Sequence, residues 1–133
     1  MLRYMLDTSI CVHVLKHRPP ELRDRFNSLA DQLCVSAVTL AELLFGAEKS
    51  ARVRENLAAV EHFRARLGVL PFAERAAAHF GQIRAELERT GRPAGSYDTM
   101  IGGHARAEGL VLVTNNRREF DCMSGLRVED WLG

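Results

Sequence analysis

"LVLVTNNRREF", residues 110–120, contains the clearest strand signal in the chain. Its first five residues form a continuous apolar run rich in β-branched side chains, which is typical of a strand buried on both faces. Such strands occur where helices cover both sides of a sheet. The stretch therefore favours a sheet of parallel strands between two layers of helices.

The rest of the chain alternates the same two kinds of segment. Apolar segments predict strands at residues 3–6 and 32–38 and a short edge strand at 126–132. Helices are predicted over residues 9–17, 21–30, 39–46, 53–67, 72–89 and 97–108. This order predicts an α/β three-layer sandwich with a mainly parallel central sheet flanked by helices, in one domain covering residues 1–133.

The composition limits the classes of protein to which the chain can belong. It is 47% hydrophobic and 26% charged, as in ordinary globular domains, and charges interrupt every apolar stretch, so no membrane segment is expected. The N-terminus lacks the apolar region of a signal peptide, and three widely spaced cysteines favour free thiols. A cytoplasmic location is expected. The net charge of +1 neither demands nor excludes a nucleic-acid partner.

Ligands of such sheets bind beyond the carboxyl ends of the strands, near the point where the strand order reverses. Asp7, in "YMLDTS" (residues 4–9), directly follows the first predicted strand and so belongs at this rim. Its ordinary interpretation is a helix N-cap, because Asp, Thr and Ser are all good caps. If Asp7 serves a site, Thr8 or Ser9 could cap the helix instead.

Two further acidic residues lie in unusual places. Glu42 is surrounded by apolar residues in "VTLAELLFGA", where an unpaired buried carboxylate would be costly. It borders a cleft, pairs with another group, or closes a capping box with Thr39 at the start of a helix. Asp98 opens the helix that follows the loop "TGRPAGS", where capping or a favourable interaction with the helix dipole explains it as well as a role in a site does.

The helix that follows Asp98 contains Gly102 and Gly103, each costing roughly 1 kcal/mol relative to alanine. Close packing of the helix on the sheet, or approach of its backbone to a ligand, would account for this pair. None of the histidines has metal-ligand spacing, and His104 is interpreted as a packed or solvated helix residue.

The strand at 110–114 ends in polar residues that should emerge at the same rim as Asp7. Thr114 and Asn116 follow the apolar run, and Glu119 comes three residues later. An ordinary polar turn is the alternative, and it is the preferred interpretation for Asn115.

Four acidic residues near one rim of the sheet are hard to explain as unrelated helix caps. They are Asp7, Glu42, Asp98 and Glu119. Clustered carboxylates repel one another, so several remain ionised at neutral pH only with a cation among them. Oxygen ligands without a cysteine or histidine cluster suit Mg²⁺ or Mn²⁺. A carboxylate-held ion of this kind is well suited to cleaving phosphodiester bonds.

Four segments in this order resemble the PIN-domain ribonucleases, and more narrowly the VapC-type toxins of type II toxin–antitoxin modules. They are "YMLDTS", "VSAVTLAELLFGA", "GRPAGSYDTMIGGHA" and "LVLVTNNRREF". The similarity covers essentially the whole chain. It implies a Mg²⁺- or Mn²⁺-dependent endoribonuclease, usually dimeric, that is inhibited by a VapB-type antitoxin and cleaves RNA, with transfer RNA favoured.

The resemblance also assigns residues. Asp7 and Asp98 correspond to the main metal ligands, Glu42 to the acidic residue of the second motif and Glu119 to the last acidic position. Thr114 and Asn116 match polar residues lining the site, which Thr8, Ser9 and Tyr97 would also line. Two departures are Ser9 and Tyr97, where many relatives have asparagine. Tyr97 could reshape the site entrance, stack on a base or simply pack.

Two other kinds of function remain open at this point. A phospho-aspartyl protein, such as a receiver domain or a phosphatase, would use Asp7 as a nucleophile, but Asp7 is not followed by the second aspartate of a DxD motif. A non-catalytic module that binds an antitoxin is the second alternative.

Overall fold

The structure is a computed structural model, and it describes residues 1–16 and 19–132. Five short strands are β1 (Tyr4–Leu6), β2 (Leu33–Ser36), β3 (Gly68–Leu70), β4 (Val111–Val113) and β5 (Val128–Glu129). The α-helices are α1 (Thr8–Leu15), α2 (Pro20–Leu29), α3 (Ala37–Glu48), α4 (Val53–Arg64), α5 (Glu74–Arg89), α6 (Ser96–Glu108) and α7 (Arg117–Phe120). The predicted end of the first helix, at His17, lies outside the described residues.

The strands form one sheet in the order β3-β2-β1-β4-β5, and every pairing is parallel. β1 lies in the middle, with β2 on one side and β4 on the other, so the direction of winding reverses at β1. The segments that follow β1, β2 and β4 therefore leave the same edge of the sheet side by side. The predicted parallel sheet is confirmed, as is the edge position of the last strand.

Two apolar cores lie on opposite faces of the sheet. Successive side chains of a strand point to opposite faces. Accordingly, Tyr4 and Leu6 of β1 join the core under α1, α2 and α4, whereas Met5 joins the core under α5 and α6. In β4, Val113 joins the first of these cores and Leu112 joins the second. These two cores confirm the predicted three layers.

Some predicted element boundaries were wrong. Gly46 does not end α3, which continues to Glu48, and a Cβ at Gly46 would meet nothing within 4 Å. α4 ends at Arg64, and Gly68 begins the unpredicted strand β3, which pairs with β2. The four-residue helix α7 was also missed. Segments this short carry too few residues for a periodicity to show.

Gly102 and Gly103 are explained by close packing of α6 on its neighbours rather than on the sheet. A Cβ at Gly103 would lie 2.8 Å from the backbone nitrogen of Phe80 in α5. A Cβ at Gly102 would lie 2.5 Å from Sδ of Met123. The two glycines thus let α5 and the segment after α7 approach the backbone of α6. Within the described part of the chain, no helix is long and apolar enough to cross a membrane.

Candidate active site

Asp7 lies directly after β1 and is the N-cap of α1. Its Oδ1 accepts a hydrogen bond of 2.9 Å from the backbone N–H of Ile10. Ser9 Oγ lies 2.9 Å from both carboxylate oxygens, and Thr114 Oγ1 donates to Oδ2 at 2.6 Å. The Asp7 carboxylate therefore caps α1 and also lies at the rim of the sheet. The expectation that Thr8 or Ser9 replaces Asp7 as the cap was wrong.

The Asp7 carboxylate is almost completely enclosed, with 2% of the residue exposed. Burial raises the pKa of Asp7, because a charged carboxylate is poorly solvated there. Hydrogen bonds from Thr114, Ile10 and Ser9 oppose this effect by stabilising the charged form. The chain therefore holds a buried carboxylate in place with donors rather than with a fixed positive charge.

Glu42 lies inside α3 rather than in its first turn. The N-cap of α3 is Ser36, whose Oγ accepts from the backbone N–H of Val38, so the capping box between Thr39 and Glu42 was wrong. Glu42 Oε1 instead accepts a hydrogen bond of 2.6 Å from Thr8 Oγ1. The structure thus agrees with the other two alternatives, because Glu42 pairs with Thr8 and both residues border a cavity.

The hydroxyl of Thr39 supports the contact between Thr8 and Glu42. Thr39 Oγ1 lies 3.2 Å from Thr8 Oγ1, and Thr39 is fully buried. A hydroxyl carries one hydrogen, and Thr8 gives its hydrogen to the carboxylate of Glu42, so Thr39 is the donor in the second bond. The two threonines form a chain of donors directed at Glu42. Thr39 was not predicted to take part, although it lies three residues before Glu42 on the same helix face.

Asp98 lies in the first turn of α6 and is half-buried. Its pKa is raised to about 6, first by burial and then by the negative charges of Glu119, Asp7 and Glu42. These four acidic residues come from α6, α7, the end of β1 and α3. The structure therefore brings the four predicted residues into one acidic group near the carboxyl edge of the sheet, in which the other three act on Asp98.

The remaining predicted residues lie around this group. The backbone N–H of Asn116 donates to Thr114 Oγ1 at 2.8 Å, so Thr114 links the turn after β4 to Asp7. The side chain of Asn116 is exposed. Tyr97 adjoins Asp98 in α6 and is 60% exposed. Asn115, interpreted as an ordinary turn residue, is paired with a histidine, its Nδ2 lying 2.9 Å from Nε2 of His13 in α1.

The donor atoms of the acidic group are all oxygens, which agrees with a hard cation such as Mg²⁺. Among residues 1–16 and 19–132, no three Asp, Glu, His or Cys side chains are arranged to hold one ion together. A cation here would therefore take few protein ligands and keep several waters, as Mg²⁺ commonly does. Bringing a positive charge to the group would also relieve the repulsion that raises the pKa of Asp98.

Comparisons with known proteins show the family to which the chain belongs. The PIN domain family model matches residues 4–125. The chain is 54% identical over 131 residues to the tRNA(fMet)-specific endonuclease VapC of Shigella flexneri, covering 98% of this chain and 99% of the relative. It is 50% identical to Ribonuclease VapC2 of Haemophilus influenzae over 99% of this chain and 100% of the relative.

Among solved structures, the DNA-bound VapBC of Salmonella typhimurium contains a chain that superposes with a TM-score of 0.95 at 53% identity, covering 98% of this chain and 99% of that one. The match extends over both cores and over every element that carries an acidic residue of the group. The chain therefore belongs to the PIN-domain family and, within it, to the VapC ribonucleases of toxin–antitoxin pairs.

Proposed function

We propose that this chain is a divalent-metal-dependent endoribonuclease that cleaves initiator transfer RNA and acts as the toxin of a toxin–antitoxin pair. The observation that carries the metal dependence is the gathering of four acidic residues near one edge of the sheet, where burial, and after it three neighbouring carboxylates, raise the pKa of Asp98. The substrate class follows from a relative 54% identical over nearly its whole length, named as specific for tRNA(fMet). Membership of a ribonuclease family argues against the phospho-aspartyl alternative.

In this proposal Asp7 and Asp98 hold the metal ion, with Glu42 and Glu119 beside it. Bound Mg²⁺ or Mn²⁺ would orient the scissile phosphate, neutralise developing charge and lower the pKa of a coordinated water. Thr114 and Ser9 keep the Asp7 carboxylate aimed at the rim through their hydrogen bonds. Glu42, held by Thr8, is the carboxylate placed to accept a proton or orient a water.

The partner in this proposal is a VapB-type antitoxin. A cavity of about 240 Å³ between α1, α3 and α4 borders Thr8 and Glu42 and is otherwise lined mainly by apolar side chains, including Leu43 and Val60. An antitoxin segment with apolar residues could lie there and place a basic side chain among the carboxylates. Inhibitor and substrate would then compete for one surface. We also propose a homodimer, as the family resemblance implies, and a cytoplasmic location, as the cysteine usage favours.

The decisive experiment uses the purified chain freed from its antitoxin. We expect cleavage of initiator transfer RNA with Mg²⁺ or Mn²⁺, no cleavage with excess chelator, and much weaker cleavage of an elongator transfer RNA. Asp7→Asn should bind metal weakly and lose cleavage while keeping its fold, because asparagine caps a helix about as well as aspartate. Circular dichroism and mapping of the RNA ends give the two readouts.

Two results would count against this assignment. Full metal-dependent cleavage by Asp7→Asn would remove Asp7 from the site. If the free wild-type chain binds no Mn²⁺ and cleaves no RNA, but still binds the antitoxin tightly, the non-catalytic binding module becomes the better description.

The contact between Thr8 and Glu42 provides a separate prediction. Thr8→Val keeps the shape of the side chain but removes the hydrogen that Thr8 donates to Glu42 Oε1. We expect the rate of RNA cleavage to fall by about 10- to 100-fold, the range seen when a partner that orients a metal-site group is lost. Thr8→Ser, which keeps the hydroxyl, should retain most activity. Equal rates for the valine and serine variants would show that the hydroxyl has no role.

A further inference from the structure

A buried polar contact joins the start of α3, which carries Glu42, to α6, which carries Asp98. Nδ1 of His104, in α6, lies 2.8 Å from Oγ of Ser36, the last residue of β2. His104 is 1% exposed and Ser36 is fully buried. We propose that His104 is a positioning residue that fixes the start of α3 to α6 and so sets the place of Glu42 relative to Asp98. This inference rests on the proposed nuclease function.

The direction of the hydrogen bond follows from the surroundings of Ser36. Its Oγ already accepts from the backbone N–H of Val38 at 3.1 Å, and its own hydrogen needs an acceptor. Within the described residues, Nδ1 of His104 is the acceptor that the hydroxyl can reach. Ser36 is therefore the donor, and His104 is neutral with its proton on Nε2. Burial lowers the pKa of His104, which favours the same neutral form.

Each end of this hydrogen bond is the same number of residues away from the acidic residue on its own side, Glu42 or Asp98. Ser36 precedes Glu42 by six residues, and His104 follows Asp98 by six. Ser36 also caps α3, so its position determines where that helix begins. A shift of Ser36 would move Thr39 and Glu42 together, because they belong to the same rigid helix.

At the His104 end of this bond, close packing leaves α6 little freedom to move. Gly103, next to His104, brings the backbone of α6 against the backbone of Phe80 in α5. The ring of His104 packs edge-on against Phe72, with 5.5 Å between the ring centres. His104 thus holds α3 to a helix whose own position is already set by close packing.

His104 cannot take part in the chemistry directly. It is enclosed between helices and hydrogen-bonded to Ser36 rather than to any of the four carboxylates. Its effect on catalysis must therefore pass through Ser36 and α3. This separates the proposal from a catalytic role and from a simple packing role, which would affect stability alone.

The test compares His104→Leu with His104→Asn. Leucine fills the space but leaves the Ser36 hydroxyl without an acceptor, whereas the amide oxygen of asparagine can occupy the place of Nδ1. We expect His104→Leu to lower kcat for initiator transfer RNA by about 10- to 100-fold with little change in KM, and His104→Asn to recover most of the loss. Ile83→Ala, in the same core but away from α3, is the control for lost stability.

Amide hydrogen exchange at Val38 is the second readout, because its N–H is bonded to Ser36 Oγ. It should speed up in His104→Leu, and His104→Asn should restore the wild-type rate. Equal kcat for His104→Leu and an equally destabilised Ile83→Ala would overturn the proposal, as would failure of His104→Asn to rescue. If the wild-type chain cleaves no RNA, the proposed function fails, and unchanged Val38 exchange would separately reject the link between His104 and α3.

Discussion

Asp98→Asn is expected to abolish RNA cleavage and, at the same time, to stabilise the metal-free protein above about pH 6. Loss of a residue that merely orients a metal ligand commonly costs 10- to 100-fold, so loss of a proposed ligand should cost more than about 100-fold in activity. Stability changes in the opposite direction because the charged Asp98 carboxylate is half-buried and lies among like charges. Activity and stability thus compete at this position.

The sign of the stability change follows from the pKa of the Asp98 carboxyl group in the folded and in the unfolded protein. The pKa of Asp98 is raised from 3.8 to about 6 in the folded protein by burial and by the charges of Glu119, Asp7 and Glu42. The folded state therefore binds the proton more tightly than the unfolded state, and ionised Asp98 destabilises the fold above pH 6. This penalty fades as the pH falls from 6 towards 3.8, where the carboxyl is protonated in both states.

Removing the charge should raise the free energy of unfolding at pH 7.5 by about 1 to 2 kcal/mol, after allowance for solvent screening of a half-buried group. Chemical denaturation of metal-free protein at pH 7.5 and pH 4 provides the measurement, and the gain should disappear at the lower pH. Saturating Mg²⁺ should stabilise the wild type but not Asp98→Asn, because a ligand that binds only the folded state raises its stability.

The matched control is Asp31→Asn. Asp31 is exposed and lies in the short turn before β2, at the opposite edge of the sheet. The same chemical change there should alter neither cleavage nor the pH dependence of stability. Equal stability of Asp98→Asn and the wild type at both pH values would show that neither burial nor the neighbouring carboxylates raise the pKa of Asp98.

Gly103→Ala is expected to lower stability by about 1 to 3 kcal/mol, the range for inserting a methyl group into a well-packed interior. The added Cβ would lie 2.8 Å from the nitrogen and 3.0 Å from the Cα of Phe80. These are backbone atoms of α5, so the contact cannot be relieved by turning a side chain, and the two helices must separate. Thermal and urea unfolding measure the loss.

Gly81→Ala is the control for this substitution. Gly81 lies in the interior of α5, and a Cβ there would meet nothing within 4 Å. Alanine should therefore stabilise the helix at this position by about 0.5 to 1 kcal/mol, as glycine carries a larger entropy cost. Opposite signs at Gly103 and Gly81 would confirm that close packing, and not helix propensity, explains Gly103. Stabilisation at both positions would contradict the helix contact.

The parallel sheet and the acidic edge were predictable because their signals are local. The run at residues 110–114 is long and apolar enough to indicate a buried strand, and β1 places Asp7 directly after it at the same edge. By contrast, β3 has only three half-buried residues, and α7 only four, so neither could show a period. The end of α3 was misplaced because a glycine inside a helix looks the same in sequence as one that ends it.

The sequence by itself determined which residue types come together: four carboxylates at or near one edge of a parallel sheet, together with threonines and a helix that begins at Asp98. Only the tertiary structure decided their partners. Thr8 binds Glu42 across 34 residues of sequence, Ser36 and His104 are separated by 68, and Thr114 binds Asp7 across 107. Such bonds depend on strand order, register and the spacing of packed helices. These are properties of the whole fold, which no local pattern of residues contains.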